Sequence, residues 1–141
     1  MGEFDFIKKQ DEQKISVNEL NINVVSKWLD GILEQSISEG VKAFCFNLYD
    51  DGDDKWSMEL VGIGNFDIDD VDWACDEVED YGTRANPFAW SNSEQWDKVL
   101  EEVICVLNEY LEKGKYSEVL KSKCGVGVGF VDGAIVILHK R

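Results

Sequence analysis

Proline and histidine are almost absent from this chain, with one of each in 141 residues, and bases are scarce: 14 Lys and Arg stand against 29 Asp and Glu. The shortage of histidine leaves Ser/His/Asp and Cys/His catalysis dependent on His139 alone, near the C-terminus with no evident nucleophile beside it. The shortage of base gives a formal net charge of -15. Nucleic acid and anionic lipid are therefore poor partners, since binding would begin with repulsion instead of counterion release. No apolar run reaches the ~18 to 20 residues that span a bilayer, and no signal-peptide core opens the chain. Phe6 stands where a myristoylation signal requires Ser or Thr. The expectation is a cytoplasmic protein with no membrane association.

Other absences bear on chemistry. Cys45, Cys75, Cys105 and Cys124 are 30, 30 and 19 residues apart with no CxxC pair, which reads as reduced thiols, with Cys45 and Cys105 buried. Cys75 stands among acids and is given no catalytic role. Gly125, Gly127 and Gly129 lack the third glycine at dinucleotide spacing and lead into a turn and a strand, so they read as a strand face that admits a helix. A calcium loop starting at Asp67 fails because Val71, Asp72 and Val78 occupy its fifth, sixth and twelfth positions. No metal and no cofactor are expected.

What is present suffices for one domain over 1–141, since 44% of the residues are hydrophobic and 11% aromatic. Residues 16–39 predict a first helix, with Ser16 and Glu19 at capping-box spacing, a stripe through Leu20, Val24, Trp28 and Ile32, and Gly40 closing it. Lys42 to Tyr49 and Lys55 to Ile63 alternate with period two around a five-residue loop, Asp50 to Asp54. Placing Tyr49 opposite Lys55 puts Phe44, Phe46 and Leu48 on one face with Trp56, Met58 and Leu60. A second helix runs from about Asn92 to Glu112, capped by Ser91 and Glu94, with Trp96, Leu100, Val103, Leu107 and Tyr110 on one face and Gly114 stopping it. Residues 115–122 make a short further helix or turn. Gly125 to Lys140 reads as a hairpin around Asp132-Gly133, with Ile135, Ile137 and His139 on the face of Val126, Val128 and Phe130. The fold class is α+β: an antiparallel sheet built from two hairpins, two main helices packed on it, and a long, mostly irregular acidic connection over residues 64–90.

Residues 50–80 hold 13 acids and one base, Lys55, so 12 of the 15 excess negative charges lie in 31 consecutive residues. Trp56, Phe66, Trp73 and Tyr81 lie within or beside this run, and a merely solvating segment has no use for large aromatics. Arg84, the only base between Lys55 and Lys98, is expected to clamp the loop internally.

The segments Leu48 to Gly62 (LYDDGDDKWSMELVG), Asp69 to Glu77 (DDVDWACDE) and Gly125 to Gly133 (GVGVGFVDG) resemble small acidic bacterial immunity proteins of polymorphic and contact-dependent toxin systems. That resemblance implies binding and blocking of a cognate toxin domain, often a basic nuclease. Charge alone points the same way, because clustered acids steer a protein toward a basic, phosphate-attracting site. The expected function is non-catalytic inhibition of a basic protein partner through Asp69, Asp70, Asp72, Trp73, Asp76, Glu77, Asp80 and Tyr81. The alternatives are a carboxylate- or metal-dependent hydrolase, and an acidic nucleic-acid mimic or regulatory binding module.

Overall fold

A computed structural model describes residues 15–17 and 19–141. Phe6, and Asn18 of the expected first helix, lie outside the described residues. The chain folds as a mixed α+β structure in which helices pack on a seven-stranded, mostly antiparallel sheet. The elements in chain order are β1 (Ile15–Val17), α1 (Ile22–Leu33), β2 (Ala43–Gly52), β3 (Lys55–Ile63), a 3₁₀ turn (Trp73–Cys75), β4 (Glu77–Gly82), β5 (Phe88–Ser91), α2 (Trp96–Lys113), α3 (Ser117–Lys121), β6 (Gly125–Phe130) and β7 (Val136–Lys140). The sheet order is β1-β5-β3-β2-β6-β7, with β4 also paired to β3, and among the described strands only β1–β5 and β2–β6 run parallel.

Phe44, Phe46, Leu48, Trp56, Met58, Leu60, Val126 and Val128 share one face of the sheet and are buried against α1 and α2. α1 contributes Val25, Trp28, Leu29 and Leu33, and α2 contributes Val99, Val103, Leu107, Tyr110 and Leu111, both at the three-to-four spacing of a buried stripe. The Tyr110 hydroxyl donates to Asp30 Oδ1 (2.7 Å) and accepts from the Tyr116 N–H (3.2 Å), which ties the two helices to the turn before α3.

The structure corrects several expectations. Ser16 is not a helix cap. It lies in β1 opposite Ala89, and Asn21 caps α1 by accepting from the Val24 N–H at 3.1 Å. β-branched Ile15 and Val17 favour a strand, and the edge of β5 offers one a partner. α1 ends at Leu33 rather than at Gly40. Ser91 ends β5, so α2 begins at Trp96 without a side-chain cap, and Trp96 is 58% exposed rather than on the buried stripe. Cys105 is exposed; among the four thiols only Cys45 is buried.

Residues 64–90 are irregular over more than half their length, as expected, but they carry more regular structure than a plain connection. They contain the 3₁₀ turn, β4 and β5, which share the outer edge of β3: β5 pairs with Lys55 to Met58, and β4 with Val61 to Ile63. Between them Thr83 stands in for a strand, its N–H donating to the Leu60 carbonyl (2.9 Å) and its Oγ1 accepting from the Leu60 N–H (2.8 Å).

Both hairpin registers also shift. Tyr49 lies opposite Ser57, two residues from the expected pairing, so the faces of β2 and β3 are kept. The loop is shorter than five residues because the strands continue to Gly52 and Lys55. Asp53 and Asp54 form the tip at φ of 52° and 61°, left-handed values that Asp tolerates better than most residues. In the β6–β7 hairpin, Val126 meets His139 as expected, but an irregularity then brings Ile137 opposite Gly127 and Val136 opposite Val128. An extra residue exchanges the two faces of a strand. Ile137 therefore joins Gly127 on the face away from the helices.

Candidate functional site: the acidic loop and its seat

Among the described residues, no α-helix contributes to the apolar cluster on the second face of the sheet. At one end Ala43, Cys45, Val61 and Ile63 form a smaller apolar cluster closed by Trp73, with Phe66, Ile135 and Ile137 at its margin. The ring of Trp73 meets that of Phe66 edge-on, with centroids 4.7 Å apart. The glycines of β6 make room for both. A Cβ on Gly125 would lie 2.4 Å from the Phe66 ring, and one on Gly127 would lie 2.7 Å from Ile135 and 2.9 Å from Trp73. The glycine face expected to admit a helix admits the aromatics of the acidic loop instead.

Anchored in this way, the loop is folded by its own acids. The Asp67 carboxylate accepts from the Asp69 N–H (3.0 Å) and the Asp70 carboxylate from the Asp72 N–H (2.9 Å), two successive Asx turns. Backbone bonds Asp70 N–H to Asp67 O and Trp73 N–H to Asp70 O continue the coil, and Gly64 N–H to Asp76 O (2.7 Å) closes its base. Asp67, Asp69, Asp70, Asp72 and Asp76 are all exposed, as are Ile68 (50%) and Val71 (87%). Beside them Ile68, Val71, Trp73, Ile135 and Ile137 line a cleft of about 160 Å³.

Of the residues singled out by the sequence, Asp69, Asp70, Asp72 and Asp76 come together on this outer surface. Glu77 is half-buried at the start of β4. Asp80 lies on the same strand, but its side chain is outside the described residues. Trp73 (3% exposed) and Tyr81 (8%) do not present their rings. Trp73 seats the loop, while Tyr81 packs on Phe44 with centroids 5.9 Å apart, and burial pushes its hydroxyl up to about 12. Sequence reasoning missed the apolar contribution of Ile68 and Val71; their spacing among aspartates was the available signal.

Next to the loop Arg84 clamps two carboxylates, its Nε donating to Glu59 (2.9 Å) and its Nη2 to Glu77 (2.7 Å). Glu59 is 4% exposed and also accepts from the Tyr49 hydroxyl. This matches the internal role expected for Arg84, and it extends the clamp from the loop into the sheet. Burial, with Glu77 and Glu59 nearby, pushes the Cys45 thiol up to about 12, so it stays protonated. Among the described residues, no group of three or more His, Cys, Asp and Glu converges to hold a metal ion, and no helix is long and apolar enough to cross a membrane.

Fold and site thus define an α+β sheet protein presenting a strongly acidic loop seated on the sheet and closed by its own hydrogen bonds. No family model matches the chain, and no curated protein or solved structure shows a significant match to it.

Proposed function

We propose that the protein is a non-catalytic inhibitor, acting in the cytoplasm, that binds a basic protein partner through residues 67–77 and so neutralises a cognate nuclease-like toxin domain. The observation that carries this reading is the loop surface itself, where exposed Asp67, Asp69, Asp70 and Asp72 surround exposed Ile68 and Val71 on a backbone fixed by Asx turns and a buried tryptophan. Apolar contact ringed by charge is the arrangement of a specific interface, and a surface ordered beforehand loses little entropy on binding. Trp73 and Tyr81 act here by holding the acids in place instead of contacting the partner. Glu59 and Glu77, which meet at one guanidinium, are both engaged by Arg84, which supports binding over hydrolysis by that pair.

Asn keeps the side-chain oxygen that each Asx turn needs, so the triple substitution Asp69→Asn, Asp70→Asn, Asp72→Asn removes charge while preserving loop shape. A basic nuclease domain captured by the wild-type protein at low salt should associate at least about tenfold more slowly with this variant, with a flatter salt dependence, by stopped-flow kinetics. Unchanged association by the folded variant would refute the role of the loop.

A further inference from the structure

The run of acids that is continuous in sequence is split in the fold. Asp50, Asp51, Asp53 and Asp54 surround the β2–β3 tip, while the loop departs from the other end of β3, eight residue steps or ~26 Å away along the strand. At the tip end lies an aromatic row that the loop does not use. Trp56, opposite Asp50 in the ladder, is buried and meets Phe130 edge-on (5.8 Å). Phe130 in turn meets Trp96 edge-on at 6.1 Å and 89°. Trp96 is 58% exposed and neighbouring Val131 is 51% exposed.

The tip is held close to this row: Asn92 N–H donates to the Asp54 carbonyl (2.9 Å), Val131 N–H to the Leu48 carbonyl (3.3 Å), and the Asp50 carboxylate accepts from Gly52 N–H (3.0 Å). Glu94, Asp97 and Asp132 add negative charge at the same end. Among the described residues, Lys55 donates to the Ser91 hydroxyl (3.1 Å) and Lys98 pairs with Glu101 (3.6 Å). A cleft of about 490 Å³ opens beside the tip, lined in part by Asp51, Asp53 and Trp56.

We propose that this end of the molecule is a second docking surface, on which an arginine side chain of a basic protein segment stacks on Trp96 while the tip aspartates receive the neighbouring cations. An exposed indole amid negative charge suits a guanidinium, which is planar, weakly hydrated and able to stack while hydrogen-bonding a carboxylate. Trp is also the side chain most often found at the energetic centre of protein interfaces. The surface stands apart from the acidic loop and does not depend on the loop's role.

The test titrates the ¹⁵N-labelled full chain with the peptide acetyl-Gly-Arg-Gly-Arg-Gly-Arg-Gly-amide and, separately, its lysine counterpart. Binding at the tip should move the Trp96 indole N–H resonance and the amides of residues 50–55, with the arginine peptide favoured. Trp96→Ala should weaken binding about fivefold and Trp96→Phe much less. The Asp69→Asn, Asp70→Asn, Asp72→Asn protein should show the same Trp96 shift. Shifts confined to residues 67–77, or affinity unchanged by Trp96→Ala, would overturn this surface and leave the loop reading intact. Shifts confined to the tip and Trp96 would support it and count against the loop.

Discussion

At the residue scale, the decisive polar group is Glu59, a carboxylate in the middle of a sheet. It is tolerated because Tyr49 and Arg84 satisfy it, and Arg84 reaches it from the surface while also holding Glu77. Removing the arginine leaves a buried charge beside a second carboxylate, whereas neutralising the glutamate only weakens the network. Arg84→Ala should therefore destabilise by about 2 kcal/mol and Glu59→Gln by about 1 kcal/mol, the larger value being tempered by the exposure of the guanidinium. The double variant should lose less than the sum of the two. Urea unfolding midpoints at neutral pH give all three values, and strict additivity would mean that the pair is not coupled. The clamp was legible in sequence because a single base followed an acidic run. The exposure of Trp96 was not, because helical spacing places it one turn before Val99 and Leu100 regardless of where the helix begins.

At the element scale, the acidic loop behaves as a separate piece set onto the sheet. Its attachment rests on Phe66 and Trp73 filling the space left by Gly125 and Gly127. Trp73→Ala should cost about 3 kcal/mol. It should also raise hydrogen exchange in residues 64–76 while Phe44 to Leu48 stay protected. Uniform loss of protection across β2 would show that loop and sheet unfold as one unit.

The hairpin faces could be read from alternation alone, since a two-residue slip leaves them unchanged. The faces of β7 could not, because one extra residue reverses them and no side chain announces it. β1 reads as the start of a helix in sequence because Ser16 and Glu19 imitate a capping box. Tertiary pairing with β5 outweighed that local signal. β4 and β5 were hidden by the acids of one and the shortness of the other. Of the site, the exposed aspartates were legible from charge density, whereas the burial of Trp73 and Tyr81 depends on strands distant in sequence.

At the scale of the whole molecule, folding keeps the Cys45 thiol and the Tyr81 hydroxyl neutral far beyond their ordinary range, both up to about 12 from 9.0 and 10.0. A pKa raised by folding gives stability that is complete below the unfolded value and lost as pH climbs toward the folded one. The protein should hold its full stability to about pH 9 and then weaken by about 1.4 kcal/mol per pH unit for each group in turn. Urea midpoints measured from pH 7 to 11 should show this, and Cys45→Ala should delay the onset by about one pH unit. A midpoint constant to pH 11 would contradict the assignment.

The parallel pairing of β2 with β6 joins segments some 80 residues apart, with Phe44 opposite Val126. For a chain growing on the ribosome this fixes an order of events. Every acid of the loop has been synthesised before β6 exists, so Phe66 and Trp73 meet Ala43, Cys45, Val61 and Ile63 first and gain the Gly125 and Gly127 side of their seat only when β6 emerges. The loop thus acquires its charge early and its full seat late, and a chain cut short before residue 125 would carry all the negative charge of the loop on a seat that lacks its β6 side.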